Sequence, residues 1–381
     1  MDFLLSDDQR MARESAREFA EKRLKPAAQK ADEEEGFPKE VYSEAAELGF
    51  FGLAVAEEYG GLALDPMACA LVMEELARGS ASFQVCLSVH NTLVCGALSK
   101  FGTDEQKKRW LPDLASGRVI GAYSLSEPGA GSDAGSLRCE AKRQKDSFLL
   151  NGTKAWVTNA GMAGVFVVFV STDRAKKSKG ISCLLVPKGT EGFSIGKKEK
   201  KMGLRASDTR ELFFSECGVP ADSLLGKEDE GLKIALGLLD SGRVGIAAQA
   251  VGIAQAAYEE AVSYAKQREQ FGKPIAQFQA NAFKLADMAL AVEAARLLTW
   301  RAAAALCRGE RPTREAAMAK LFASQAANRV AYDAVQLHGG NGYIREFPVE
   351  RLFRDARVTE IYEGTSEIQR MVISRELLRA A

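Results

Sequence analysis

Histidine is almost missing from this sequence: among 381 residues only His90 and His338 occur. Two isolated histidines exclude a histidine-rich metal centre and make a Ser-His-Asp hydrolase a poor account of any activity, so no metal site is expected. The seven cysteines (69, 86, 95, 139, 183, 217 and 307) are odd in number and never spaced as Cys-x-x-Cys. They predict neither a disulfide framework nor a zinc site, and they suit a reducing compartment. Charge of one sign is missing too: Lys plus Arg and Asp plus Glu both total 51, leaving no net field to hold nucleic acid or an anionic membrane surface. The densest apolar run, Val165 to Val170, is far shorter than a membrane span, so no membrane insertion is expected. Met1 to Phe19 lacks a basic start followed by an apolar stretch. That predicts no export signal and a bacterial cytoplasmic location, or the mitochondrial matrix for a processed eukaryotic form. Demanding chemistry must then come from carboxylates or a bound cofactor.

What is present divides the chain in three. Residues 1–119 are rich in helix formers, with apolar positions at helical spacing such as Val72, Leu76 and Phe83, and turn signals at Gly60-Gly61 and Asp65-Pro66. Residues 120–228 gain β-branched and aromatic residues, alternate from Lys154 to Thr158, and carry Asn151-Gly152, which predicts a hairpin turn. Residues 229–381 return to helical periodicity, with Ala-rich stretches at 244–266, 276–307 and 313–336 that suit a bundle and an oligomer packed through it. The expected fold class is α+β, mainly α: an N-terminal helical domain, a middle β domain and a C-terminal helical bundle. The lysine clusters 176–179 and 197–201 read as solvated hairpin tips rather than phosphate contacts.

Four segments could carry chemistry. Gly129 to Ala134 matches the loose Gly-x-Gly-x-x-Ala pattern, but Leu137 to Leu150 is polar and strand-like where a dinucleotide-binding unit needs a helix. A close backbone approach to a cofactor remains open there. Trp156 and Thr158 fall on one side of a strand, as ordinary packing would also have them. The segment Gln336 to Gly342 holds three glycines in four residues, more than a helix C-cap needs. Near the end, Gly364 gives a turn and Ser366 with Gln369 predicts a capping box. By itself Glu363 is also simply an acid that a helix start favours.

Together, in this order and at these separations, Leu125 to Asp133, Trp156 to Asn159, Asp240 to Arg243, Arg268 to Pro274, Gln336 to Gly342 and Arg354 to Thr365 resemble the acyl-CoA dehydrogenase family across essentially the whole chain. The resemblance implies an FAD-dependent enzyme, a homotetramer, that oxidises an acyl-CoA thioester to the trans-2-enoyl-CoA and passes electrons to electron-transfer flavoprotein. It implies that Glu363 is the base taking the α-proton while a hydride leaves the β carbon for the flavin. It places Tyr123, Leu125, Ser126, Gly131, Ser132, Trp156, Val157 and Thr158 on the flavin, with Ser132 also on the substrate. Arg268, Gln270, Phe271, Phe278 and Gln279, with Gln336, Leu337, Gly339 and Gly340, would reach the FAD of a neighbouring subunit. Thr365 and Glu367 would complete the cofactor site. Asp240, Arg243, Tyr362 and Gly364 would face acyl-CoA.

Some members of that family place the base on the earlier helix, beside the arginine matching Arg243. Gly242 stands there and cannot serve. Ser88 to Leu93 and Asp240 to Arg243 look closest to short-chain, butyryl-CoA-type members. Two rivals share the scaffold. An acyl-CoA oxidase would usually extend well past the position of Ala381, and a non-catalytic flavin-binding subunit would be expected to have lost Glu363. A nitroalkane-oxidising relative would be expected to carry Asp there.

Overall fold

The computed structural model describes residues 4–379. Helix α1 (Asp7–Phe19) opens on a capping box between Ser6 and Gln9, which satisfies two backbone donors at once. It is followed by α2 (Lys25–Glu33), α3 (Lys39–Glu47) and α4 (Pro66–Ser88). Asp65 caps α4 by accepting the Ala68 N–H at 2.7 Å, and Pro66 takes the first turn, where its missing donor costs nothing. The sequence Asp65-Pro66 is therefore a helix start. A wider, π-helical stretch (Val89–Cys95) carries α4 on into α5 (Gly96–Phe101), and α6 (Asp104–Ala115) follows. Val72, Leu76 and Phe83 are all completely buried, as their spacing predicts.

The β domain contains β1 (Gly121–Ser124), β2 (Glu140–Arg143), β3 (Ser147–Thr158), β4 (Val165–Ser171), β5 (Ile181–Pro187), β6 (Phe193–Lys198) and β7 (Thr209–Pro220) in one seven-stranded mixed sheet. The order is β1-β4-β2-β3-β7-β6, with β5 also paired to β4. Strand β4 lies between β1, parallel to it, and β5, antiparallel, and every residue of it is buried. A strand covered on both faces needs such a continuous apolar run.

The C-terminal part holds α7 (Gly231–Gln267), a two-stranded turn of β8 (Glu269–Gln270) and β9 (Lys273–Pro274), then α8 (Gln279–Cys307), α9 (Thr313–His338), α10 (Val349–Arg357) and α11 (Ser366–Arg379). Helices α4 and α7 pack on each other at the centre. Pro66–Phe101 and Gly231–Gln267 are long and apolar enough to cross a membrane, but 89% and 78% of their most apolar windows are buried within the protein. They are core helices, apolar all round because neighbours surround them. The longest apolar run in the sequence was thus a poor guide: small residues punctuate both helices without making them polar.

Two turn readings are corrected. Asn151-Gly152 is not a hairpin tip but lies inside β3, at a register shift opposite β7. Gly152 has φ +142°, a Cβ there would come within 2.7 Å of the Cys139 Cα, and the Asn151 side chain is engaged with Glu216 across the bulge. The β2–β3 turn is at Gln144–Ser147 instead, where the Gln144 N–H donates to the Ser147 carbonyl at 2.8 Å. The lysines at 176–179 lie in an exposed connection, whereas Lys201 is half-buried and donates to the Ser207 carbonyl at 2.7 Å and Lys198 donates to the Glu35 carbonyl. Lys198 thereby ties the β domain to the N-terminal helices, while Lys201 satisfies a carbonyl within its own domain.

The Arg354-Asp355 pair joins all three parts. Arg354 contacts Asp32 and Glu350, each at 2.7 Å, and donates to the Met202 carbonyl at 3.1 Å. Asp355 accepts the Leu204 N–H at 2.6 Å, and burial pushes its pKa up to about 6. Both histidines are structural. His90 accepts the Gly121 N–H on Nδ1 at 3.0 Å and faces the Phe51 and Leu114 carbonyls with Nε2, its pKa lowered by burial to about 4. His338 stacks on Tyr264 with ring centroids 4.2 Å apart. Among the described residues no group of three or more His, Cys, Asp or Glu could hold a metal ion.

Candidate active site

The turn between α10 and α11 presents Glu363. Glu363 has φ +53° and Gly364 φ +90°, so two successive residues sit in the left-handed region. That conformation costs a non-glycine residue about 1–2 kcal/mol, and the surroundings must hold it. They do so through the carbonyls. Lys320 Nζ donates to the Gly364 oxygen at 2.7 Å. Gln369 Nε2 donates to the same oxygen at 2.9 Å and to the Glu363 oxygen at 3.1 Å. The expected Ser366–Gln369 capping box is therefore replaced: Thr365 Oγ1 accepts the Ile368 N–H at 3.4 Å, while the buried Ser366 hydroxyl has no partner among the described residues. Gln369 is drawn away from the cap because the strained turn leaves two buried carbonyls in need of donors.

Glu363 is half-buried, and its carboxyl group points at α7. A Cβ on Gly242 would stand 2.8 Å from Glu363 Oε2, so the absence of a side chain makes the carboxylate's space. Burial pushes the Glu363 pKa up, against the opposing pull of Arg243 and Lys320. Arg243 donates through Nη1 to Asp240 at 3.1 Å, Asp240 accepts from the Thr313 hydroxyl at 2.8 Å, and the buried Arg243 Nε has no partner among the described residues. From β1, Tyr123 lies close enough to feel the Glu363 charge, and its buried hydroxyl is likewise unpartnered among the described residues. Tyr362 donates to Gln249. Opposite Gly242, the wall is Leu93, whose Cδ2 would be 3.5 Å from an added Cβ, and at Gly245 the nearest atom is Ser88 Oγ.

The β domain offers a second surface. The register shift between Lys154 and Val157 coincides with φ +61° at Trp156, and this bulge leaves the indole 66% exposed while Val157 is buried. Thr158 is half-buried beside it. The loop from Leu125 to Ser132 is pinned from beneath: the buried Lys154 reaches the Leu125 carbonyl at 3.1 Å and Glu127 at 2.8 Å, and Glu127 accepts the Arg138 and Cys139 N–H groups. The Ala155 N–H donates to the Ser126 carbonyl at 2.9 Å. Gly129, Gly131 and Ser132 are exposed, and a Cβ on either glycine would meet nothing within 4 Å. No helix follows the loop, so the Gly-x-Gly-x-x-Ala match is not a dinucleotide-binding turn.

A third group lies elsewhere. Arg268, Gln270 and the 94% exposed Phe271 form the β8–β9 turn, with Phe278 6.1 Å from Phe271 by ring centroids and Gln279 opening α8. The turn beside it carries Gln336, Leu337, Gly339 and Gly340; Asn341 donates to the Tyr264 hydroxyl at 2.9 Å, tying the end of α9 to the end of α7. Leu337 is buried, whereas Gln336, Gly339 and Gly340 are exposed. Helix α9 runs from Lys320 to this turn over 336 − 320 = 16 residues, or about 24 Å at 1.5 Å per residue. The fold thus gathers Tyr123, Asp240, Arg243, Tyr362 and Gly364 around Glu363, and holds the Gln336 to Gly340 turn well away from it.

Three family descriptions match in sequence: acyl-CoA dehydrogenase N-terminal domain over 6–118, middle domain over 122–217 and C-terminal domain over 229–378. The chain belongs to the acyl-CoA dehydrogenase family. Its relatives include the mitochondrial short-chain specific acyl-CoA dehydrogenase of Bos taurus, 52% identical over 376 residues, covering 99% of this chain and 91% of the relative. The butyryl-CoA dehydrogenase of Megasphaera elsdenii is 45% identical with TM-score 0.97, all of both chains being covered. A chain solved in work on the electron transferring flavoprotein of Acidaminococcus fermentans and flavin-based electron bifurcation is also 45% identical, with TM-score 0.98 and full coverage of both.

Acyl-CoA dehydrogenases are FAD-dependent oxidoreductases. This acyl-CoA dehydrogenase has the features such a cofactor needs: an aromatic face held outward on a bulge, an open glycine loop on a rigid base, and buried hydroxyls at Tyr123 and Ser366 without protein partners among the described residues. Reasoning from the sequence missed Lys320, Gln369 and Gln249. For Lys320 a signal existed. It sits among Ala316, Ala317, Ala319, Ala323 and Ser324, all buried on α9, so a lone cation interrupts an otherwise apolar helix face.

Proposed function

We propose that this acyl-CoA dehydrogenase introduces the α,β double bond of a short-chain acyl-CoA, with Glu363 as the base and electron-transfer flavoprotein as the electron acceptor. The observation that carries the reading is the Glu363 carboxyl group, held by a left-handed turn in the space that Gly242 leaves open. A thioester α-proton is only weakly acidic, so a carboxylate removes it only where its own basicity is raised and the developing enolate oxygen meets fixed donors. Burial raises the Glu363 pKa, and in this reading the Glu363 backbone N–H serves as one such donor. When bound, FAD would supply the acceptor for the hydride that leaves the β carbon.

Tyr123, Leu125, Ser126, Gly131, Ser132, Trp156, Val157 and Thr158 hold the flavin in this reading, and Thr365 with Glu367 complete its site. The Glu367 carboxylate is held below its usual range by its own backbone N–H and the Thr365 hydroxyl, so it suits a cofactor hydroxyl better than a phosphate. Arg268, Gln270, Phe271, Phe278, Gln279 and the Gln336 to Gly340 turn serve the FAD of a second copy in a homotetramer. Their distance from Glu363 along α9 and the exposure of Phe271 support that division. Arg243, with its unpartnered Nε, and Asp240 face the substrate. The wall of Ser88 and Leu93 closing on α7 beside Glu363 supports a short acyl chain.

The test is anaerobic titration of the purified flavoprotein. Butyryl-CoA is expected to bleach the flavin band and octanoyl-CoA hardly to do so. Glu363→Gln is expected to keep FAD and bind acyl-CoA while bleaching slows by orders of magnitude. Normal turnover by that variant would sink the assignment of the base.

A further inference from the structure

Lys320 is completely buried, yet its hydrogen bond goes to a carbonyl and not to a carboxylate. A buried ammonium is costly, and a neutral amide could donate to the Gly364 oxygen with a smaller desolvation penalty. Fold architecture alone therefore does not account for a cation at this position. What stands beside it is the Glu363 carboxyl group, the strongest of the charges raising the Lys320 pKa.

We propose that Lys320 is a positioning residue for the base: it fixes the Gly364 carbonyl, and through it the left-handed Glu363 turn, while its charge holds the neighbouring carboxyl group ionised and ready to take the proton. The proposal rests on Glu363 being the base. The geometry is that of a clamp. Lys320 on α9 and Gln369 on α11 approach the same carbonyl from different helices, at 2.7 and 2.9 Å, so the turn cannot relax toward either one. Only Lys320 brings charge.

The other charged and titratable groups are arranged around this pair. From α7, Arg243 supports the ionised form of Glu363, and Asp240 is occupied by Arg243 and Thr313. Glu360, before the turn, and Glu367, on α11, both favour the charged form of Lys320. Tyr123 from β1 and Tyr362 beside the base have pKa values pushed far up and remain neutral. Burial brings Lys320 down to about 8, which leaves it largely protonated at neutral pH. Arg243 and Lys320 thus oppose, from two helices, the desolvation that would otherwise protonate the carboxyl group.

Lys320→Gln keeps a donor for the Gly364 carbonyl and removes the charge; Lys320→Arg keeps the charge. The experiment follows the single-turnover rate of flavin bleaching by butyryl-CoA, from about pH 5.5 to about pH 9, in FAD-loaded wild type and both variants. For Lys320→Gln the midpoint of the acid limb is expected to rise by about one pH unit, with a roughly tenfold loss of rate below it that higher pH recovers. Lys320→Arg should keep the wild-type midpoint. A wild-type midpoint in folded Lys320→Gln overturns the proposal. If Lys320→Gln fails to hold FAD, a raised midpoint in Lys320→Arg overturns it and an unmoved one sustains it. Bleaching of wild type by no acyl-CoA would instead refute the reading of Glu363 on which this rests, and that outcome is visible before any variant is made.

Discussion

Replacing Gly242 by alanine tests the site where the structure is least forgiving. The new Cβ would stand 2.8 Å from Glu363 Oε2 and 3.5 Å from Leu93 Cδ2. The second distance is an ordinary contact. The first must open by about 3.4 − 2.8 = 0.6 Å before the atoms touch normally. Helix α7 is held by α4 and α9, so the backbone does not yield, and the free end of the Glu363 side chain moves instead. Misplacing a reacting group by about an ångström costs on the order of a hundredfold in rate. A shift of 0.6 Å should therefore slow flavin bleaching by butyryl-CoA about ten- to a hundredfold. Stability should run the other way, because alanine in a helix interior is favoured over glycine by about 1 kcal/mol. The assay pairs anaerobic stopped-flow bleaching with a thermal melt of the same FAD-loaded sample. A bleaching rate within about twofold of wild type in a folded variant would refute the argument that the carboxylate occupies the space Gly242 leaves.

Two further outcomes concern the cofactor surface and the domain junction. Trp156→Ala removes an indole that is 66% exposed; thermal stability should move by no more than about 0.5 kcal/mol, while FAD affinity, read by titrating the apoprotein, should fall by about 1 kcal/mol, roughly fivefold. Unchanged FAD affinity would remove Trp156 from the flavin site. Asp355 has its pKa raised from 3.8 to about 6 by burial, so the folded state holds its proton more tightly than the unfolded chain does. The stability that this preference contributes is complete below about pH 4 and is lost as pH rises through about 6, amounting to about 3 kcal/mol at 1.36 kcal/mol per pKa unit. Denaturant melts of wild type against Asp355→Asn should show the difference shift in favour of the variant across that window and then level off. A difference independent of pH would contradict it.

Much was legible without coordinates. The helical, β, helical order follows from periodicity, because residues that must bury one face have to repeat at the period of their element. The motifs Leu125 to Asp133 and Arg354 to Thr365 stood out by their glycines and paired charges, and the Arg354-Asp355 pair turns out to join the domains. Local turn geometry was less legible. Asn151-Gly152 has the composition of a hairpin tip, but the turn at Gln144–Ser147 satisfies the backbone and leaves Gly152 to pass against Cys139. Ser366 with Gln369 has the spacing of a capping box, yet the demand of the Glu363 and Gly364 carbonyls, six and five residues back, outweighs the cap.

By itself the sequence determined the helical, β, helical order and the family, since each depends on residue identity at short and regular separations. Only the tertiary structure decided that Gly242 makes the space for Glu363, 121 residues later by 363 − 242, and that Lys320 meets the Gly364 carbonyl. Those contacts come from three helices converging on one turn. The physical reason is that desolvation and charge act through distance in space, and no pattern along a chain records which buried groups the folded packing brings together.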